Sequence, residues 1–148
     1  PKIQEGLAGF EASSHRMKIH YKNGVTILDD SYNSNPEGVL YALQYLRRYS
    51  GRKICVLADM LELGTFSYEE HEKLVYKVKD EGIDILFLFG TEMKQVSSLV
   101  DISTHFLDIH DLNKQLLDEL KEGDVVLIKG SRSMKMERTV EHLINDYH

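Results

Sequence analysis

The sequence is poor in cysteine and has no long apolar run. Its 148 residues include one cysteine, Cys55, so an intramolecular disulfide and a cysteine-based metal site are both excluded. No apolar segment approaches the ~20 residues that a membrane-spanning helix needs. The N-terminal segment has neither a basic leader nor an apolar signal core. We therefore expect a cytoplasmic protein with no membrane partner.

Basic clusters and several common ligand-binding motifs are missing as well. The formal net charge is -6, and no Lys/Arg block is interleaved with aromatic residues, which argues against a nucleic-acid partner. The nucleotide-triphosphate motif G-x-x-x-x-G-K-[ST] does not occur, and no G-x-G-x-x-G follows an apolar run. The seven histidines lack metal-ligand spacing such as H-E-x-x-H. The sequence therefore predicts no metal site and no nucleotide site of the usual glycine-rich kind.

The composition is that of one folded domain. Hydrophobic residues make up 42% and charged residues 28%, which is ordinary for a globular protein. This length suits one domain with its own core and is too short for two. Residues 1–14 follow neither a strand nor a helix pattern, so we predict a linker or the tail of a preceding domain there. The domain itself is expected over residues 15–148.

The order of apolar runs predicts an α/β fold. Residues 16–21 alternate, Asn23-Gly24 follows, and an apolar run resumes at residues 25–28, a pattern typical of an antiparallel hairpin. Further apolar runs alternate with segments of helical period: ICVLA, ILFLFG, HFLDI and VVLIKG. We therefore expect a mostly parallel sheet with an antiparallel hairpin strand at its N-terminal end and helices on both faces.

Helix boundaries are also marked in the sequence. Asn35-Pro36 predicts an N-cap and the first residue of a helix. Ser67 and Glu70 predict a capping box for a second helix, which ends at Gly82. The other helices are predicted from apolar spacing, at residues 112–120 and 140–147, with a shorter one near residues 92–99.

Polar segments follow three of the apolar runs: DDSYNSNP at residues 29–36, LADMLELG at 57–64 and KGSRSMKME at 129–137. Ligands of open α/β sheets bind at the carboxyl ends of the strands, where helix N-termini offer free N–H groups. The first segment suits ribose and base contacts, or is simply a capped turn. The second suits a metal or an amine, or is a solvated acidic loop. The third suits a bound anion, or is only a basic loop.

Taken in order, these segments resemble the C-terminal domain of the Mur ligases, specifically the branch that adds D-alanyl-D-alanine. The pattern of that branch runs approximately DDSYNANP, then LGDMLELG with a later Ser and His, then GD-VLVKGSR-MKME. This chain has DDSYNSNP, LADMLELG with Ser67 and His71, and GDVVLIKGSRSMKME. Ser34 replaces the usual Ala, and Ala58 replaces the usual Gly, a change that narrows the backbone freedom before Asp59.

The resemblance implies a Rossmann-like three-layer fold and a role in ATP-dependent amide ligation during peptidoglycan precursor synthesis. In that family the terminal carboxylate of UDP-N-acetylmuramoyl-tripeptide is phosphorylated, and the amine of D-alanyl-D-alanine attacks the acyl phosphate. The implied cofactors of the full-length enzyme are ATP and Mg²⁺, neither of them bound tightly by this domain alone. The implied partners are the N-terminal and central domains of the same enzyme, without which we expect no catalysis.

The resemblance also implies roles for particular residues. Arg16 corresponds to a catalytic arginine that reaches toward the terminal phosphate of the nucleotide. His71 matches a family position, and a helix-packing role for it stays open. The expected nucleotide-binding residues are Asp30, Tyr32, Asn33 and Asn35; the expected substrate-binding residues are Asp59, Glu62, Lys129, Ser131 and Arg132, with Arg132 facing the acceptor carboxylate.

Two other interpretations remain. One is a sister Mur ligase that adds a different amino acid. The other is a phospho-receiver domain, in which Asp29, Asp30 and Asp59 bind magnesium and phosphate beside Lys129. The predicted opening hairpin argues against the receiver.

Overall fold

The computed structural model describes residues 17–148, which form a six-stranded sheet in the order β1-β2-β6-β3-β4-β5. β1 runs antiparallel to β2, and all other neighbours are parallel. The α/β prediction is confirmed. The predicted linker, residues 1–14, and Arg16 lie outside the described residues. The strands are β1 Lys18–Lys22, β2 Val25–Asp30, β3 Lys53–Ala58, β4 Ile85–Phe89, β5 Ser103–Phe106 and β6 Val125–Lys129.

Helices cover both faces of the sheet and produce three layers. They are α1 Pro36–Leu46, α2 Ser67–Asp80, α3 Thr91–Lys94, α4 Ile109–Glu119 and α5 Glu137–Asp146. α1, α2 and α3 pack against one face, which includes Cys55 and Leu57, and α4 and α5 pack against the other, which includes Ile54 and Val56. This division follows from strand geometry, because successive side chains point to opposite faces. None of the described helices has the length and apolar character required to cross a membrane.

The opening hairpin forms as predicted. Lys22 pairs with Val25, so Asn23 and Gly24 make a two-residue turn with φ angles of +49° and +85°. Both positive angles are those of a type I′ turn, which the Asn-Gly pair favours because its backbone reaches the left-handed region with little strain. This turn places β2 at the inner side of the hairpin, next to β6.

Some predicted boundaries were wrong. Ser67 is the first residue of α2 rather than its N-cap, and no side chain caps that helix, because the 3₁₀ turn Gly64–Phe66 runs directly into it. The segment HFLDI is not one strand, since β5 ends at Phe106. Asp108 then caps α4 by accepting a hydrogen bond from the amide of His110 at 2.8 Å, which breaks the extended run. The short helix expected near residues 92–99 is divided into α3 and a 3₁₀ turn, Ser97–Leu99.

Candidate functional site

The three polar segments meet at one rim of the sheet. β6 lies between β2 and β3, with Lys129 in register with Asp30 on one side and with Leu57 on the other. The segments at 29–36, 57–64 and 129–137 therefore leave neighbouring strands at the same carboxyl edge. The three segments thus lie together on one rim, at the edge of an open α/β sheet where ligands bind.

A buried ion pair joins the first and third segments. The ammonium of Lys129 lies 2.9 Å from Asp30 Oδ2 and also donates to the main-chain carbonyl of Asn33 at 2.9 Å. The whole-residue exposure is 3% for Lys129 and 0% for Asp30. Lys129, which the sequence predicts as substrate-binding, thus supports the segment expected to meet the nucleotide.

The first segment borders a groove of about 380 Å³ at the start of α1. Asn35 caps this helix by accepting a hydrogen bond from the Gly38 amide at 2.7 Å, and Asn33 accepts one from the Ser34 amide at 2.8 Å. Both asparagines remain exposed along the groove, whereas Asp30 is enclosed beneath it. The helix start contributes partial positive charge to the same place.

Tyr32 and Arg132 form a bridge above the rim between the first and third segments. The guanidinium carbon of Arg132 lies 5.0 Å from the centre of the Tyr32 ring, within the range of a cation–π contact. One guanidinium nitrogen is 3.4 Å from the Tyr32 hydroxyl. Both side chains are exposed, so the contact is open to exchange with a ligand.

Asp59 is the first acidic residue of the second segment, and it is only 3% exposed. Its two carboxylate oxygens accept hydrogen bonds from the amides of Met93, at 2.8 Å, and Glu92, at 3.2 Å, in α3. Burial raises the pKa of Asp59, while the hydrogen bonds from these two amides act in the opposite direction. Because both oxygens are engaged by the backbone of α3, the receiver interpretation, which needs an accessible aspartate there, is not favoured.

Glu62 is the exposed acid of the second segment, and it has a left-handed φ of +66°. It lines a groove of about 720 Å³ to which all three segments contribute. Arg132 and Lys135 supply positive charge there, and Glu62 and Glu137 supply negative charge. The other lining residues are Asn33, Ser34, Asn35, Leu61, Leu63, Ser131 and Ser133. A groove with both signs of charge suits a ligand that also carries both.

Ser131 links the second and third segments. Its hydroxyl accepts a hydrogen bond from the Leu61 amide at 2.8 Å, and its own amide donates to the carbonyl of Asp59 at 3.2 Å. Gly130 allows this approach, since a Cβ there would lie 2.7 Å from the Cβ of Ala58. Ala58 itself ends β3 without a positive φ, so an alanine is held there without backbone strain.

Sequence reasoning missed the internal connections of the rim. His71 is fully buried, and its Nε2 accepts a hydrogen bond from the Met60 amide at 3.0 Å. Ser67 donates to the carboxylate of Glu92 rather than capping α2. The large groove is also lined by Lys135, which has a φ of +56°, and by Glu137. Their only sequence signal was that they belong to the KGSRSMKME segment.

A three-layer α/β domain with its polar loops on one carboxyl rim belongs to the class of proteins that bind ligands at that rim. Comparison with known proteins identifies the family. The family described as "Mur ligase, glutamate ligase domain" matches residues 15–132, and the chain belongs to it. Its relatives include the UDP-N-acetylmuramoyl-tripeptide–D-alanyl-D-alanine ligases of Buchnera aphidicola and Escherichia coli. The identities are 33% over 148 residues and 34% over 144 residues, covering 98% and 95% of this chain.

A solved structure agrees with these relatives. The MurF ligase from Thermotoga maritima, crystallised in complex with ADP, matches with a TM-score of 0.81 and 32% identity over 90% of this chain. The match covers 31% of that protein and 32% of each of the two sequence relatives, so this chain spans about a third of their length. The sister-ligase interpretation is not favoured by these names.

Proposed function

We propose that this chain is the C-terminal part of an ATP-dependent ligase that joins D-alanyl-D-alanine to UDP-N-acetylmuramoyl-tripeptide in the cytoplasm. Residues 15–148 are its C-terminal domain, and residues 1–14 lead in from the preceding domain. The observation that carries the proposal is the groove of about 720 Å³ shared by all three rim segments. The ligases named among the relatives support the same reaction.

The charges of this groove match those of the acceptor. D-alanyl-D-alanine has an ammonium at one end and a carboxylate at the other, and the groove has a guanidinium, Arg132, and an exposed carboxylate, Glu62. Arg132 is suited to bind the acceptor carboxylate through paired N–H donors. Glu62 attracts the ammonium, which must lose a proton before its nitrogen attacks. Lys129, Ser131 and Asp59 act from beneath, because their polar groups hold the rim together.

The groove of about 380 Å³ suits the nucleoside part of ATP. Tyr32 offers a ring face for the base, and Asn33 and Asn35 offer amide groups for the base or ribose. Asp30 keeps this segment in place through Lys129. We assign to Arg16 the contact with the terminal phosphate, as the family resemblance implies.

The magnesium ion of the proposed enzyme belongs with its preceding domains. Within residues 17–148 no group of three His, Cys, Asp or Glu side chains is arranged to hold a metal. Asp30 accepts a hydrogen bond from Lys129, and Asp59 accepts one from the Met93 amide in α3. When bound, the ion offsets phosphate charge. This chain contributes one wall of a cleft that positions the reactants and excludes water once the other domains close.

The proposal is tested by fusing this chain to the first two domains of the Escherichia coli relative. Ligated product is measured by mass spectrometry and ADP by a coupled assay, with D-alanyl-D-alanine, lysine or diaminopimelate as the amine. We expect product only with D-alanyl-D-alanine, and none from the 148-residue chain alone. The matched control is the same junction carrying the Escherichia coli C-terminal domain. An active control beside an inactive fusion, product with another amine, or ligation by the chain alone contradicts the proposal.

A further inference from the structure

The loop that leads to Glu62 is held by successive main-chain amides. The amide of Asp59 donates to the carbonyl of Phe89 at 3.1 Å, that of Met60 to His71 Nε2 at 3.0 Å, and that of Leu61 to Ser131 Oγ at 2.8 Å. The chain then turns into the left-handed conformation of Glu62. These bonds reach the loop from β4, α2 and the third rim segment, so they fix its path from three sides.

His71 has both ring nitrogens committed in this arrangement. A main-chain amide can only donate, so Nε2 carries no proton in this contact. The proton therefore lies on Nδ1, which is 2.7 Å from the carbonyl oxygen of Ser67 one turn earlier in α2. The imidazole is buried, and its orientation is set by one hydrogen bond to its own helix and one to the loop.

The same contacts close into a ring of hydrogen bonds. Ser67 donates its hydroxyl proton to the carboxylate of Glu92, and the amide of Glu92 donates to Asp59. His71 connects Ser67 to Met60, which follows Asp59 in the chain. The ring ties α2 and α3 to the start of the acidic loop. Because the imidazole is buried, breaking its bond to the Met60 amide would leave a polar atom without a partner and out of water, so this contact holds the loop firmly.

We propose that His71 is a positioning residue for the acidic loop, residues 59–64. By holding the Met60 amide it fixes where Glu62 enters the large groove. On the proposed function, on which this step rests, it thereby sets the position of Glu62 relative to the acceptor amine. His71 does not touch the acceptor and acts only through the loop.

The first test uses two variants of the 148-residue chain, His71→Gln and His71→Asn. The Gln amide oxygen reaches the place of Nε2, whereas the Asn oxygen is one methylene short of it. Hydrogen exchange of the Met60 amide should be about tenfold faster in the Asn variant and within about twofold of wild type in the Gln variant. The amide of Phe87, in the core strand β4, serves as the internal control. The proposal is overturned if both variants change the exchange rate of the Met60 amide equally, or if the Asn variant leaves that rate unchanged.

A measurement on the unaltered chain covers the case in which neither variant folds. The ¹⁵N shifts of the His71 ring should show Nδ1 protonated and Nε2 as a hydrogen-bond acceptor. A proton found on Nε2 overturns the proposal, because the Met60 amide would then have no acceptor there.

The second test places the variants in the fused enzyme. The Asn variant should raise the KM for D-alanyl-D-alanine about tenfold with the KM for ATP unchanged, and Gln should restore it. Faster Met60 exchange without a change in this KM overturns the link to the acceptor. If the unaltered fusion is inactive, the proposed function fails, and the exchange experiment still decides whether His71 holds the loop.

Discussion

The ion pair between Lys129 and Asp30 gives the sharpest stability prediction. Lys129→Met keeps most of the length of the side chain and removes the ammonium that bonds Asp30 Oδ2 and the Asn33 carbonyl. Both side chains are almost fully buried, with exposures of 4% and 0%. Removing one partner of a buried pair costs about 3–5 kcal/mol, because the remaining charge stays out of water. For a domain of this size each kcal/mol lowers Tm by about 2–4 °C, so a fall of roughly 10 °C is expected.

A double-mutant cycle isolates the contribution of the pair. Lys129→Met, Asp30→Asn and the double variant are compared with the unaltered chain by urea unfolding, followed by circular dichroism. The double variant should be less destabilised than the sum of the single variants by about 2 kcal/mol, because it removes both buried charges. If each single variant lowers the free energy of unfolding by less than about 0.5 kcal/mol, or if the two effects are strictly additive, the pair does not tie the first and third segments.

Three further predictions concern other parts of the fold. Arg52→Met should lower the free energy of unfolding by about 2 kcal/mol, because Arg52 bonds both carboxylate oxygens of Asp124 and also Glu119. Ligation by the fused enzyme should survive this change, and a selective loss of ligation would contradict the assignment of the site to the opposite rim. Burial raises the pKa of Cys55, so at pH 8 a thiol reagent should label it only as fast as the chain opens; labelling of the native protein within seconds would contradict this. Glu62→Asn should raise the free energy of unfolding by about 0.5–1 kcal/mol, because asparagine adopts the left-handed conformation of this position with less strain. Urea unfolding measures this change, and a fall in the free energy of unfolding would contradict backbone strain at residue 62.

Local features of the fold could be predicted from the sequence. The Asn23-Gly24 turn and the Asn35 cap depend on neighbouring residues, and both form as expected. The gathering of the polar segments followed from a general property of parallel strands. The position of β6 between β2 and β3 has no local signal, yet it alone brings Lys129 to Asp30, 99 residues away in the chain.

The predicted site residues differ in a way that the sequence does not reveal. Glu62 and Arg132 face the large groove, whereas Asp59, Lys129 and Ser131 use their polar groups inside the rim. An aspartate after a strand has the same local pattern whether it meets a ligand or a helix. The amides that bind the Asp59 carboxylate belong to Glu92 and Met93, 33 and 34 positions along the chain, so its burial has no local signal.

The central claim, that the carboxyl rim forms the acceptor side of the ligase, is tested most directly through Arg132. Arg132→Ala in the fused enzyme is compared with the control variant Arg48→Ala. The guanidinium of Arg48 also stacks on a tyrosine, 5.1 Å from the centre of the Tyr45 ring, but Arg48 lies just past the C-terminal end of α1. We expect Arg132→Ala to lower kcat/KM for D-alanyl-D-alanine about 100-fold at unchanged Tm, and Arg48→Ala to leave it within about twofold of the parent. Equal activity of the two variants would contradict the account.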